Sequence, residues 1–305
     1  MNANANINAS ENANATTTAA PGTNASTSSP AAPGKPSQKF QIINLTLLSY
    51  FLRKHRVLII VMALCAAAYS VMIVALWPMV LDDSFKEMME TLAASLPGLD
   101  AESFMMSLGQ YLETQWLGVY WLPLAGAVLI VLAGKAIAGS INDGSMETVF
   151  ANPLRRGVYL NTVVLAILLI SLILGIATIA PLAALGPLFD ARLEPGTVAI
   201  LLAAACLILF VFGLMVLAVS AWTRGVVLAA SFAVAFILVM IVLYVATPFV
   251  GFLENLNPVN LLHWWGSATI IDTGEAEPGL WIWLAVVGVV SLLASYAGFL
   301  RRDIT

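Results

Sequence analysis

One polar stretch interrupts two long apolar runs: Asn142-Asp143-Gly144-Ser145-Met146-Glu147-Thr148-Val149-Phe150-Ala151-Asn152-Pro153-Leu154-Arg155-Arg156-Gly157-Val158-Tyr159. Asp143 or Ser145 can N-cap a short helix, and Glu147 falls in its first turn, where the helix dipole favours an anion. Met146, Val149 and Phe150 stand at i, i+3 and i+4 and share one face. Pro153 ends the helix and pushes Asn152 out of the α region. Arg155 and Arg156 then lead into the next apolar run. A short helix with a small apolar face, held between two spans, suits docking into a groove on a soluble partner. The plainer alternative is a polar loop that merely joins two spans.

Composition sets the class around this stretch. The chain is 60% hydrophobic and 10% charged, with a mean hydropathy of +0.92. Soluble domains carry roughly 25% charged residues, so this is an integral membrane protein. Six apolar runs follow the N-terminal region, at about Val57–Trp77, Trp116–Ala138, Val158–Leu182, Thr197–Ala221, Val226–Val250 and Leu280–Leu300. Each is long enough to cross roughly 30 Å of hydrocarbon as a helix. The predicted fold is therefore all-α, with six transmembrane helices. Trp77, Trp116, Trp121, Trp222, Trp281 and Trp283 lie near run ends, where an aromatic belt would place them. Cys65 and Cys206 both sit inside apolar runs and read as small apolar residues rather than a disulfide or metal pair.

Residues 1–39 are rich in Asn, Ala, Thr, Ser and Pro without apolar periodicity, the composition of a disordered tail. They contain no apolar h-region of a signal peptide. From Phe40 to Arg56 a broad apolar face forms from Ile42, Ile43, Leu45, Leu48, Phe51 and Leu52, closed by Arg53, Lys54, His55 and Arg56. This predicts an amphipathic helix at the interface, its basic end against lipid headgroups. The alternative is an early start to the first span. Residues 40–305 form the membrane domain.

Charge sets the orientation. Arg53, Lys54, Arg56, Arg155, Arg156, Arg224, Arg301 and Arg302 flank one side, whereas the other has only Lys86 and Arg192. Cytoplasmic loops carry the Lys/Arg excess, so both termini and the 142–157 loop are expected inside the cell, in the plasma membrane. The outer side collects acids, from Asp82 and Asp83 through Glu113 to Asp272, Glu275 and Glu277. Within the outer loop at 82–115, Phe85, Met88, Met89, Leu92 and Leu96 have helical spacing, and Asp100 can cap a second helix carrying Phe104, Met105, Leu108, Tyr111 and Leu112. These helices either cover the bundle or form part of an exit path. The outer segment 251–279 is apolar but interrupted, which fits re-entrant or interfacial helices. His263, beside Trp264 and Trp265, reads as an interface residue or, alternatively, a substrate contact.

Several chemistries are missing from the sequence. The span cores hold almost no ionisable groups, and Lys135, near the inner end of the second run, can snorkel to the surface. Ion-coupled carriers usually need intramembrane relays, so this counts against one. No phosphate-binding loop, catalytic motif or Cys/His cluster appears, and nothing indicates nucleic-acid binding. Uphill transport would need an engine on another polypeptide.

The stretch from Ala138 to Arg156 resembles the signature of ABC-2-type ABC transporter permeases, roughly Gly-Glu-Glu-x-x-Gly-Thr-Leu-Glu-x-Leu-Leu-x-x-Pro-Val-Ser-Arg. Gly144, Glu147, Pro153 and Arg156 match in register. Ser145 and Met146 replace Thr and Leu, and Leu154-Arg155 replaces Val-Ser. The large first outer loop, Asn257-Pro258 and the ending Phe299-Leu300-Arg301-Arg302 are also similar to members of that family. The resemblance implies a six-span permease that exports its substrate and pairs with a second permease copy and an ATP-binding subunit. Gly144, Met146, Glu147, Val149, Phe150, Pro153 and Arg156 would form the coupling helix, with ATP and Mg on the partner and no cofactor, metal or catalytic residue in this chain. The rival functions are a passive channel, an ion-coupled carrier and an intramembrane enzyme.

Overall fold

The computed structural model describes residues 42–85, 87–88, 91, 107–142, 155–223 and 225–301. Among the described residues six helical segments are long and apolar enough to cross a membrane: Leu45–Leu81, Leu108–Gly139, Arg156–Phe189, Pro195–Trp222, Val226–Phe249 and Pro278–Arg301. No strand occurs among the described residues. The chain is thus an all-helical, multi-pass membrane protein, and the spans fall where the apolar runs predict them.

The helices are α1 (Leu45–Leu81), α2 (Leu108–Leu112), α3 (Trp121–Gly134), α4 (Ser140–Asn142), α5 (Arg156–Leu185), α6 (Pro195–Trp222), α7 (Val226–Ala246), α8 (Leu261–Trp265), α9 (Ser267–Thr273) and α10 (Pro278–Arg301). Span 2 is composite, with α2 and α3 joined through a π-helical segment at Glu113–Leu117 and a second π segment, Lys135–Gly139, leading into α4. α6 is the hub, packed against α3, α5, α7 and α10, while α1 lies along α5.

The separate interfacial helix expected before span 1 is instead the first turns of α1. Asn44 caps that helix, its Oδ1 accepting from the Leu47 amide at 3.1 Å. No Gly or Pro lies between Leu45 and Trp77 to break it. At 37 residues α1 is about 55 Å long, well beyond the hydrocarbon thickness. Leu48 and Phe51 are buried, and Arg53, Lys54 and Arg56 are exposed.

Close approach of the spans rests on small residues. In lipid no hydrophobic effect drives helices together, so dispersion contacts between closely packed backbones must do it. A Cβ on Gly213 of α6 would stand 2.4 Å from Ile167 Cγ2 of α5, and one on Gly175 of α5 would stand 2.5 Å from Cys206 Sγ of α6. Gly126 of α3 similarly meets the Phe212 ring. Both cysteines are free.

The tryptophans correct the expected belt. Trp116 and Trp121 are 1% exposed and Trp77 is also buried, all in the core. Their indoles are used internally: Trp116 Nε1 donates to Ser70 Oγ at 2.9 Å and Trp121 Nε1 to Thr178 Oγ1 at 3.0 Å. Trp222 is 60% exposed, and its Nε1 donates to the Ala294 carbonyl. Trp281 and Trp283 are half-buried. Position near a span end does not tell which way an indole faces, and the inward-facing Trp116 and Trp121 each find a hydroxyl on a neighbouring helix.

Up-and-down connection of the spans gives the bundle a basic and an acidic end. Among the described residues, all Lys and Arg except Arg192 lie at the basic end, and every Asp and Glu lies at the acidic end. At the acidic end residues 83–85, 87–88 and 91 are helical. The remainder of that expected helix lies outside the described residues. The helix with Leu108, Tyr111 and Leu112 is capped by Ser107 and runs into span 2, whereas Asp100, Phe104 and Met105 lie outside the described residues. Ser107 and Gln110 form a reciprocal capping box, which fixes the start there. The interrupted segment becomes a 3-10 stretch, Gly251–Val259, followed by α8 and α9, with Gly266 and Gly274 at positive φ making the two bends.

Candidate functional site

Two polar clusters stand out, one at each end of span 2 and each beside a π segment. Such segments insert an extra residue into a helix and are frequent at functional sites.

At the basic end the cluster surrounds the two anchors of the 142–157 loop. Ser220 of α6 accepts from the Ala138 amide at 3.1 Å and donates to the Gly134 carbonyl at 3.0 Å, stabilising the π segment Lys135–Gly139 from the neighbouring span. The Tyr159 hydroxyl of α5 donates to the Ala136 carbonyl of the same segment. The Tyr159 ring stacks on Phe299 of α10 at 5.6 Å and meets Phe51 of α1 edge-on at 5.9 Å. Arg156, the first residue of α5, donates from Nη1 to the Leu300 carbonyl at 3.4 Å. Asn161 Nδ2 donates to the Ile42 carbonyl at 3.2 Å, and its Oδ1 accepts from the Tyr296 hydroxyl. The Asn44 amide donates to Thr162 Oγ1 at 3.1 Å. Spans 1, 2, 3, 4 and 6 are therefore fastened to one another next to this loop.

Of the residues expected to form the coupling helix, Arg156 is placed in this cluster. Gly144, Met146, Glu147, Val149, Phe150 and Pro153 lie outside the described residues. Lys135 is exposed at the start of the π segment, where its amine can reach the surface.

At the acidic end two carboxylates fasten span 2 to the outer helix α9. Glu113, the first residue of the π segment Glu113–Leu117, accepts from the Tyr244 hydroxyl of α7, from Ser267 Oγ at 3.1 Å and from the Ala268 amide. Asp272 accepts from Ser107 Oγ at 2.5 Å and from the Gly109 amide at 3.1 Å. Each acid thus sits at the end of one short helix and caps the start of the other. Gly109 permits the approach, because a Cβ there would lie 2.6 Å from the Ala268 carbonyl oxygen. Trp265 completes the joint, stacking on Trp121 at 5.4 Å and donating from Nε1 to the Leu117 carbonyl at 2.8 Å. His263 is exposed and packs edge-on against Trp264.

Glu113→Ala removes the shared acceptor of three donors from two other elements. Leaving such donors unpaired costs on the order of 2–3 kcal/mol. The thermal unfolding midpoint of the reconstituted protein should fall clearly, and Tyr244→Phe should lower it less because two of the three bonds survive. An unchanged midpoint in Glu113→Ala would mean that the clasp carries no stability.

The sequence hinted at some of these residues and concealed others. Tyr159 follows the loop directly, so proximity could have nominated it. Ser220 is one hydroxyl in a long apolar run, and Glu113 is one acid among many at its end; neither carries a local signal. No protein-family model matches the chain, and no curated protein matches it significantly.

Proposed function

We propose that this chain is the membrane-spanning permease subunit of an ABC-2-type ABC exporter. It would work as a dimer with ATP-binding subunits that carry the ATP and Mg, in the plasma membrane, with both termini cytoplasmic. The motif resemblance at 138–156 motivates the reading, and one structural observation carries it furthest. The loop that would receive the ATPase has both its anchors bonded into a cluster joining five spans. A push on such a loop reaches the bundle as a whole, as a coupled alternating-access movement requires. A single six-span chain without a charged pathway offers little wall for such a route, which favours a pair of permeases.

The test has two parts. Affinity purification from the native host membrane should recover an ATPase with a phosphate-binding loop, and crosslinking should trap two permease copies with it. In a Cys65→Ala/Cys206→Ala background, an impermeant thiol reagent on intact cells should modify Glu90→Cys or Glu275→Cys and spare Thr148→Cys. The inverse labelling pattern would overturn the orientation and the coupling assignment together.

Glu113 favours a second reading. A half-buried carboxylate in span 2, held by a tyrosine of span 5, is the kind of group an ion-coupled carrier uses. The two readings part on Glu113→Gln. ATP-driven transport survives it, whereas ion-driven transport in vesicles without ATP is lost.

A further inference from the structure

We propose that the outward face of α1 at the basic end is a binding site for one anionic phospholipid, with the phosphate in an open groove among hydroxyls and cations and an acyl chain laid along the helix above it. Thr46, Ser49, Tyr50, Arg53, Lys54 and Arg56 line an open groove of about 580 Å³. Thr46, Ser49, Tyr50 and Arg53 stand at i, i+3, i+4 and i+7, one stripe of the helix, and Lys54 and Arg56 flank it on either side. Leu48 and Phe51, on the opposite face, are buried, so the stripe points away from the bundle. All three cations are exposed, and none pairs with a carboxylate among the described residues. Lys54 Nζ lies 5.8 Å from the centre of the Tyr50 ring, which keeps both at one edge of the groove.

The shape of the occupant follows from what lies above the groove. The same stripe continues as Val57, Ile60, Val61 and Leu64, which are 67%, 56%, 48% and 64% exposed and carry no polar atom in their side chains. The change from hydroxyls and cations to pure hydrocarbon occurs within one helical turn. From Arg53 to Leu64 is about 16 Å along the axis, close to the thickness of one leaflet's hydrocarbon. α1 overruns the hydrocarbon at its basic end, so Tyr50 to Arg56 fall at headgroup level. A soluble phosphate would use only the lower half of this surface. A second protein chain would need acids facing the cations and an apolar helix facing the stripe. An anionic phospholipid satisfies both halves in one molecule already present in the bilayer.

The experiment is native mass spectrometry of the full-length chain titrated with phosphatidylglycerol, with phosphatidylcholine as the zwitterionic control. Phosphatidylglycerol should bind the tighter of the two. Arg53→Gln/Arg56→Gln should weaken it by about fivefold for each charge removed. Those charges also help set topology, so a second variant keeps them all. Thr46→Val/Tyr50→Phe deletes two hydroxyls without changing shape or charge and should weaken binding about threefold. Equal binding of the two lipids, or wild-type affinity in either variant, would overturn the site and leave the cations as topology signals only. Displacement of the lipid by inorganic phosphate alone would overturn the lipid assignment, and so would crosslinking of the stripe to a second copy in place of the lipid.

Discussion

Phe150→Asp is expected to abolish coupling to the ATPase while leaving insertion into the membrane intact. On the proposed docking helix, Met146, Val149 and Phe150 share the apolar face, and burying each stabilises the contact by roughly 1.5–3 kcal/mol before ordering costs. An aromatic at the centre of a small interface often dominates it. Phe150→Ala should therefore weaken the contact by about 2 kcal/mol, roughly 30-fold. Asp goes further, since it places an unpaired charge in an apolar groove. The bundle itself should be unaffected, because the fastenings among spans 1, 2, 3, 4 and 6 are made by Ser220, Tyr159, Arg156, Asn161 and Phe51, all of which the substitution leaves in place. The measurement is ATPase co-purification and substrate-stimulated hydrolysis, after checks of insertion and dimerisation. Undiminished coupled transport would falsify the docking helix and return the stretch to a connecting loop. Glu147→Gln separates two roles for the carboxylate. A pairing partner on the ATPase makes it weaken the contact, and a solvated first-turn acid leaves it unchanged.

Gly213→Leu is expected to destabilise the bundle strongly, and without touching the loop. Gly213 lies on α6, the hub, at the point where α5 and α3 converge on it. The first added carbon already stands 2.4 Å from Ile167 Cγ2 and 3.6 Å from Leu129 Cδ2, so the remaining carbons of a leucine have no space without backbone separation. Overpacking of a tight core costs about 1–3 kcal/mol, and this site should fall at the upper end. A cost near 3 kcal/mol is roughly a 100-fold change in the folded-to-unfolded ratio. Gly213→Ala should give a smaller loss, since a shift of one Ile167 methyl can accommodate it. Gly196→Ala is the control: no atom lies within 4 Å of its added Cβ, and its effect should stay within about 0.5 kcal/mol. Thermal unfolding in lipid nanodiscs reads all three. A wild-type midpoint for Gly213→Leu would mean that α5 and α6 do not pack closely there.

These two substitutions also separate the transport reading from the fold. Gly213→Leu tests the packing of the spans and holds whatever the chain transports. Phe150→Asp tests the partner and leaves the packing alone.

The amino-acid sequence by itself determined the class, the number of spans and their approximate limits. Runs such as Val226–Val250 leave a helix across the bilayer as the structure that satisfies every backbone group in hydrocarbon. It also determined the segregation of charge, because a Lys or Arg costs little at a span end and much at its centre. The tertiary structure alone decided which face of each span looks inward. Trp116 and Trp121 sit near a span end as belt residues would, yet both are buried against hydroxyls of other spans. It alone decided that the amphipathic stretch at 45–56 is continuous with span 1, that Ser220 and Tyr159 hold the π segment before the loop, and that Glu113 and Asp272 cap each other's helices. The physical reason is common to all of these. In water, burial sorts apolar from polar faces and leaves a period in the sequence, whereas lipid is as apolar as the protein interior. Inside and outside faces then differ by fit and by single hydrogen bonds, which one strand of residues does not display until its neighbours are in place.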